Sequence, residues 1–250
     1  MGPLFARSAR TQGGDMTTTL ITGANKGLGF ETARRLVEAG HTVYVGSRDA
    51  ERGRAAAARL GAETVVLDVT DDASVAAAVK TIEAAGGLDV LVNNAGIEER
   101  AEHNGIVGAA DVTADVMRTV FETNVFGIVR VTHAFLPLLR RSTAPVVVNL
   151  SSGLGSLTVV STEGTPAYDY PGVAYPASKA AVNMVTVQFA KAFPDMRINA
   201  VEPGFTKTDL NGNTGTQTVE EGAEIIVRMA LIGPDGPTGG YLYANGPIPW

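Results

Sequence analysis

The segment Thr18-Thr-Leu-Ile-Thr-Gly-Ala-Asn-Lys-Gly-Leu-Gly29 carries a short apolar run into a glycine-rich turn, and a helical stretch follows. Glycines in such a turn permit a tight bend and let backbone amides approach a pyrophosphate at the positive end of the helix. The spacing G-x-x-x-G-x-G departs from the dinucleotide fingerprint G-x-G-x-x-G, and an ordinary strand-to-helix connection is the alternative. Its position in the first strand-helix junction favours a nucleotide site.

The same alternation of strand and helix continues along the chain. Short runs that are mostly apolar rather than alternating predict strands at residues 18–22, 41–46, 64–67, 88–92, 145–150, 197–201 and 240–243. Helices are predicted at residues 29–38, 50–60, 73–84, 114–140, 177–192 and 219–231. Mostly apolar runs are typical of parallel strands covered on both faces. The sequence therefore predicts an α/β fold, a doubly wound (Rossmann), mostly parallel seven-stranded sheet with helices on both faces.

The composition limits the classes of partner. The 250 residues carry a formal net charge of -6 without a run of basic residues, which argues against nucleic-acid and anionic-membrane partners and favours small molecules. Cysteine is absent, and the three histidines, His41, His103 and His133, show no metal-ligand spacing, so we expect no metal site.

The chain shows no linker that would divide it. We expect a single dinucleotide-binding catalytic domain over residues 16–250, preceded by a disordered leader over residues 1–15, which lack periodicity. No stretch approaches the roughly 20 apolar residues that cross a bilayer, so we expect a cytoplasmic protein.

Arg48 follows the second predicted strand, where dinucleotide folds usually carry an acidic residue for the adenosine ribose. Lys26 in the glycine turn supplies a second cation, and two converging cations suit a 2′-phosphate. The sequence therefore favours NADP(H) over NAD as the cofactor. The alternative is that both cations are solvated and that Asp49 binds the ribose.

Tyr175-Pro-Ala-Ser-Lys179 places a phenol and an amine four positions apart, on one face of a helix. One unit charge at about 4 Å, in an effective dielectric of about 20, supplies about 4 kcal/mol, enough to lower a phenol pKa by roughly three units. Tyr175 is therefore a candidate proton donor. The alternative is an aromatic ring that packs on an aliphatic stem.

Two further segments close predicted strands. Asp68, in Leu67-Asp68-Val69, is placed to accept a hydrogen bond from an adenine amine, and the small residues of Asn93-Asn94-Ala95-Gly96 let backbone approach a cofactor. Both are also ordinary turn signals. The irregular pieces 97–111, 153–174 and 206–218 follow strands, and loops in that position frame the ligand crevice.

Six motifs occur in the order and spacing of one family. They are Thr22-Gly23-x-x-x-Gly27-x-Gly29, Asn93-Asn94-Ala95-Gly96, Asn124, Ser152, Tyr175-x-x-x-Lys179 and Pro203-Gly204. In these motifs the chain resembles the single-domain short-chain dehydrogenases/reductases, nearest to the NADP-dependent carbonyl reductase branch. The resemblance extends from about Thr18 to the C-terminus.

The resemblance implies four catalytic residues. Tyr175 would be the general acid/base, and Lys179 would lower its pKa and hold the nicotinamide ribose. Ser152, preferred over Ser151, would bind the substrate oxygen. Asn124 would help to hold a water that connects Lys179 to solvent; as a residue type alone, it equally fits a helix-interior asparagine bonded to local backbone.

The implied cofactor site draws on the ends of five of the seven predicted strands and on the helix that carries Tyr175 and Lys179. Its residues are Gly23, Asn25, Lys26, Gly27, Leu28, Gly29, Arg48, Asp68, Val69, Asn94, Ala95, Gly96, Tyr175, Lys179, Pro203, Gly204, Phe205, Thr206 and Thr208. Thr208 would bond to the nicotinamide amide and Phe205 would pack near the ring.

The implied activity is the interconversion of an alcohol and a ketone or aldehyde by hydride transfer. A non-catalytic NADP-binding regulatory protein of the same fold is the alternative. The family suggests a homodimer or homotetramer. The segment 153–174 is longer than in many members, and it forms a lid or interferes with a subunit interface; Tyr168 and Tyr170 in it anchor the loop or touch substrate.

Overall fold

The computed structural model of the chain describes residues 16–100 and 105–250. The predicted leader, residues 1–15, and His103 lie outside the described residues. The strands are β1 Thr18–Ile21, β2 Thr42–Ser47, β3 Glu63–Val66, β4 Val90–Asn93, β5 Val146–Leu150, β6 Arg197–Val201, β7 Tyr241–Tyr243 and β8 Gly246–Pro247. They form one sheet in the order β3-β2-β1-β4-β5-β6-β7-β8.

The seven predicted strands pair in parallel, which confirms the doubly wound α/β fold. The sequence did not predict β8, a two-residue strand that pairs antiparallel to β7. The chain runs outward from β1 to β3 and then returns to the other side of β1 with β4. Ligand crevices in such sheets open at that switch, beyond the carboxyl ends of the strands.

The helices are α1 Gly27–Glu38, α2 Ala50–Leu60, α3 Asp72–Ala84, α4 Ala114–Phe121, α5 Gly127–Leu139, α6 Leu157–Val160, α7 Ala174–Ala192 and α8 Val219–Ala230. The predicted helix 114–140 is divided, because a π-helical turn, Glu122–Phe126, separates α4 from α5. Helix α7 begins three residues earlier than predicted, so Tyr175 lies in its first turn. Among the helices of the described ranges, none is long and apolar enough to span a membrane.

The hydrophobic core lies on both faces of the sheet. Strands β4 and β5 are buried along their whole length. Leu91 belongs to one core cluster, together with Phe135 of α5, and the next residue, Val92, belongs to the opposite cluster, together with Ile226 of α8. Successive strand residues point to opposite faces of the sheet, so each central strand is packed on both sides. This packing fixes the position of the carboxyl edge, where the site residues lie.

Candidate active site

The turn after β1 is tight because three of its residues are glycines. Gly23 and Gly27 have φ of 64° and 56°, in the left-handed region that glycine adopts without strain. At Gly29, a Cβ would lie 2.5 Å from the side-chain nitrogen of Asn94. Helix α1 therefore begins tightly against the end of β4, with its first amides at the carboxyl edge of the sheet.

Asn94 connects the glycine turn to the end of β4 by hydrogen bonds. Its Nδ2 donates to the carbonyl oxygens of Thr22 (2.8 Å) and Gly23 (3.1 Å), and the amides of Asn94 and Ala95 donate to the Thr22 hydroxyl. The sequence predicted Asn94 as a cofactor contact and missed this bracing role. This role could have been inferred from Thr22-Gly23 and Asn93-Asn94, which follow adjacent strands.

Asn124 is fully buried in the π-helical turn. Its Oδ1 accepts from the Ile97 amide (2.8 Å), and its Nδ2 donates to the Ile97 carbonyl (2.9 Å) and to Ser178 Oγ (3.0 Å). The side chain thus bonds across the fold to the loop after β4 and to α7, rather than to the local helix backbone. A π-turn at such a junction is often associated with functional sites.

Ser151 and Ser152 follow β5 and have different surroundings. Ser151 is buried, and its hydroxyl donates to Asn183 Oδ1 (2.6 Å), so it serves the packing of α7. Ser152 is half-buried, its Oγ accepts from the Leu154 amide (3.3 Å), and its carbonyl accepts from the Tyr241 hydroxyl. Its hydroxyl also acts on the Tyr175 phenol, whose pKa it lowers. This geometry favours Ser152 as the serine that faces the crevice.

Lys179 lies one turn after Tyr175 and is 4% exposed. Its Nζ donates to the Leu150 carbonyl (2.8 Å) and lies 5.4 Å from the centroid of the Tyr175 ring. Burial lowers the pKa of Lys179 to about 8, and the Glu202 carboxylate opposes that change.

The pKa of Tyr175 is raised, which differs from the lowering that the sequence predicted. Burial is the main cause, the charges of Glu98 and Glu202 add to it, and the Ser152 hydrogen bond opposes it. The Lys179 amine donates to the Leu150 carbonyl. The phenol is therefore protonated at neutral pH, the form that donates a proton.

Two carboxyl groups beside Tyr175 were missed by sequence reasoning. Glu98, after β4, pairs with Arg100 and accepts a hydrogen bond from the Tyr170 hydroxyl. Glu202, after β6, accepts from the Gly204 amide (3.0 Å), and burial raises its pKa to about 7. The position of Glu202 directly before Pro203 was the signal that could have found it.

The two cations proposed for a 2′-phosphate have different surroundings. Lys26 donates to Asp209 (2.7 Å), and it lines a cavity of about 350 Å³ with Arg52 and Arg59. Arg48 is exposed and its charge acts on Asp68. Arg52 and Arg59 were missed, although they are seven positions apart on one face of α2.

Other predicted cofactor residues already have partners. The Asp49 carboxylate accepts from the Arg52 amide and caps α2, which weakens the alternative that it binds a ribose. Asp68 Oδ1 accepts from the amide (2.9 Å) and the hydroxyl (2.7 Å) of Thr70. Such bonds hold the turn after β3 in shape at the edge of the crevice.

The segment after β6 lies across from the glycine turn. Thr206 is buried and its hydroxyl accepts from Gln217 (2.9 Å), whereas Phe205 is 53% exposed. The Thr208 methyl group lies 3.7 Å from the position that a Cβ would take on Gly27. The structure thus brings Thr208, but not the Thr206 hydroxyl, to the turn.

The three irregular segments meet over this edge. The Tyr170 hydroxyl donates to Glu98, Gly108 forms a β-bridge with Gly172, and Arg100 donates to the Leu210 carbonyl (3.1 Å). Tyr170 is therefore the loop anchor among the tyrosines of segment 153–174, and Tyr168 is exposed. These contacts hold the three segments together at the carboxyl edge of the sheet.

The parallel sheet, the glycine turn and the serine, tyrosine and lysine at one edge define a nucleotide-dependent oxidoreductase class. The sequence model of the short chain dehydrogenases matches residues 17–219, and the chain belongs to this family. It is similar to (+)-neomenthol dehydrogenase from Capsicum annuum, at 33% identity over 90% of this chain and 94% of the relative.

Two other proteins extend the comparison. Salutaridine reductase from Papaver bracteatum is 32% identical over 90% of this chain and 93% of its own. The crystal structure of NADPH-bound carbonyl reductase from chicken fatty liver superimposes with a TM-score of 0.80 and 26% identity, over 94% of this chain and 99% of that chain. The family is one of oxidoreductases that act on small molecules.

Proposed function

We propose that this protein is an NADP(H)-dependent, carbonyl reductase-like enzyme that interconverts an alcohol and a ketone or aldehyde, with Tyr175 as general acid/base. One observation carries the proposal: the Tyr175 phenol lies within reach of the Ser152 hydroxyl, which acts on its pKa, and one helical turn before the buried Lys179. The neomenthol dehydrogenase and carbonyl reductase names of the relatives support the reaction class.

The residues of the crevice fit a dinucleotide. The glycine turn leaves no room for a Cβ at Gly29 and opens α1 with free amides, as a pyrophosphate requires. The cavity lined by Lys26, Arg52 and Arg59 carries the positive charge that suits a 2′-phosphate. The NADPH named for the carbonyl reductase structure supports the same choice.

When bound, the reduced nicotinamide supplies a hydride to the carbonyl carbon. Ser152 holds the substrate oxygen by a hydrogen bond and stabilises the negative charge that develops there. Tyr175 donates its phenolic proton to that oxygen, which completes the alcohol. The Tyr175 phenolate that remains is stabilised by the nearby positive charge of Lys179 until the phenol is protonated again.

Asn124 acts in this scheme by position. Its side chain fastens the loop after β4 to α7, one residue before Lys179, because it bonds both to Ile97 and to Ser178. That its turn also holds a water for proton resupply remains part of the proposal.

A cofactor-oxidation screen tests this function. Purified protein is mixed with NADPH or NADH and a panel of aldehydes and ketones, and absorbance at the nicotinamide band is followed. We expect turnover of at least one carbonyl, with a higher kcat/KM for NADPH than for NADH. Tight NADPH binding by calorimetry without turnover of any carbonyl would instead support a regulatory protein, and equal use of NADH would overturn the cofactor assignment.

A further inference from the structure

Glu202 is a buried acidic residue that the proposed chemistry does not use. Its amide donates to the Leu242 carbonyl (2.8 Å), and its Oε1 accepts from the Gly204 amide (3.0 Å). Its Oε2 is closed off from solvent and has no hydrogen-bond partner among the described residues. A carboxylate oxygen in that state is costly unless a nearby positive charge compensates it.

Lys179 is the matching buried cation. Its Nζ donates to the Leu150 carbonyl, one bond for an ammonium that has three donors. Leu150 and Val201 are in register on adjacent parallel strands, so Lys179 and Glu202 are held at the same strand ends. The amine and the carboxyl group are near enough for the charge of each to act on the pKa of the other.

The turn Gly153–Gly155 separates the two side chains and has no side chains at its ends. A Cβ on Gly153 would lie 2.9 Å from Glu202 Oε2, and a Cβ on Gly155 would lie 2.9 Å from Lys179 Cβ. A side chain at Gly153 would therefore press on the Glu202 carboxylate, and one at Gly155 would press on the start of the Lys179 side chain. The low-dielectric surroundings strengthen their interaction.

The other titratable groups around the pair are accounted for. Glu98, from the loop after β4, is paired with Arg100 and bonded to the Tyr170 hydroxyl. Tyr241, from β7, donates to the Ser152 carbonyl. Of the charges around Lys179 in the described ranges, the one that acts to keep its proton is Glu202, and the same charge raises the pKa of Tyr175.

We propose that Glu202 is the counter-charge of the Tyr175–Lys179 pair, a positioning residue that holds the amine as an ammonium and the phenol un-ionised. The inference rests on the proposed function, because it assigns Tyr175 and Lys179 to proton transfer. In this state the pair has a proton to give to a carbonyl oxygen, so Glu202 favours reduction over oxidation.

The first experiment uses charge and shape variants of the full chain. Glu202→Gln removes the charge and keeps the shape, Glu202→Asp keeps the charge, and Glu63→Gln, on the exposed edge strand, is the matched control. The pH dependence of kcat for carbonyl reduction with NADPH is measured for each. Because a lost negative charge lowers the pKa of both groups, we expect the alkaline limb of Glu202→Gln to move to lower pH by at least about half a unit.

The variants separate an electrostatic role from a structural one. The limb of Glu202→Asp should lie nearer to that of the parent than the limb of Glu202→Gln does, and Glu63→Gln should match the parent. A Glu202→Gln profile with a lower plateau and an unmoved limb would show a merely structural role and overturn the proposal.

The second experiment measures the titration of the Lys179 amine directly, without catalytic turnover. The chain has five lysines, and Lys179 is assigned by Lys179→Arg in spectra of protein carrying ¹³C-labelled lysine. We expect Lys179 to titrate near pH 8 in the parent and at lower pH in Glu202→Gln. An unmoved titration would overturn the role of Glu202 alone, whereas full activity of Tyr175→Phe would overturn the proposed function itself.

Discussion

At the scale of single residues, the proposed mechanism makes the relative rates of reduction and oxidation depend on the protonation of Tyr175 and Lys179. Reduction needs a protonated phenol and a charged amine, whereas oxidation needs the phenolate. Because the pKa of Tyr175 is raised and that of Lys179 is about 8, we predict that reduction is fastest near neutral pH and declines above about pH 8. Oxidation of the matching alcohol should become faster with pH over the same range. Initial rates from pH 6 to 10 in both directions check this, and an oxidation optimum below pH 7 would contradict it.

Glu202 gives a second prediction at this scale, on stability. Its pKa is about 7 in the folded chain against an ordinary value of 4.5, so the folded state retains a proton that the unfolded state releases between those values. The stabilisation by that proton is fully present below the unfolded pKa and is lost as the pH rises through 7. Relative to Glu202→Gln, the parent should lose about 2 kcal/mol of unfolding free energy between pH 5 and 8. Urea unfolding at several pH values measures this, and curves that stay parallel would count against it.

The sequence predicts part of this chemistry and misses the rest for a physical reason. The spacing of Tyr175 and Lys179 is local helix geometry, so four positions suffice to place them together. The direction of the Tyr175 pKa depends on burial and on Glu98 and Glu202, which distant strands bring to it. Such long-range contacts are absent from any local pattern.

At the scale of elements, the junction of β1, α1 and β4 depends on Gly29. A Cβ there would lie 2.5 Å from Asn94 Nδ2 and 2.9 Å from the Gly23 carbonyl, so Gly29→Ala must push the turn from the end of β4. We predict a loss of about 1–3 kcal/mol of stability and weaker NADPH binding. Gly233→Ala is the control, because a Cβ there meets nothing within 4 Å. Thermal unfolding and calorimetry compare them, and equal values for both variants would contradict the role of the junction.

The contact between the glycine turn and the segment after β6 gives another prediction. Asp209 forms an ion pair with Lys26, and both side chains are more than half exposed. A bound 2′-phosphate would compete with Asp209 for the Lys26 amine. Asp209→Asn should therefore tighten NADPH binding by up to about fivefold, since exposed pairs contribute about 0–1 kcal/mol, and leave NADH binding unchanged. Asp195→Asn, which changes another exposed carboxylate, is the control. An equal change in the affinities for NADPH and NADH would show that Lys26 does not bind the 2′-phosphate.

The elements themselves were predicted to different degrees. Mostly apolar runs locate the seven parallel strands, because strands covered on both faces favour apolar side chains at successive positions. The π-turn Glu122–Phe126 was not predicted, since its residues continue the helical pattern and tertiary bonds of Asn124 define it. Strand β8 was missed because two residues carry no periodicity.

At the scale of the whole molecule, the oligomeric state remains a proposal, a homodimer or homotetramer as in the family. Phe126, at the end of the π-turn, and Met184, on α7, are 50% and 59% exposed on helices that pack against each other. If this face joins subunits, Phe126→Asp with Met184→Asp should yield a monomer. Light scattering of the parent and the double variant measures the mass, and a monomeric parent would contradict the proposal.

The proposed activity depends above all on the phenol of Tyr175. Single-turnover reduction of the best carbonyl substrate by NADPH is followed for the parent, Tyr175→Phe and Tyr168→Phe, an exposed control on the neighbouring loop. Removal of the proton donor should slow the step by about 10²–10⁴-fold with NADPH affinity unchanged, while Tyr168→Phe should match the parent. A Tyr175→Phe protein that reduces the substrate at the parental rate would contradict the assignment.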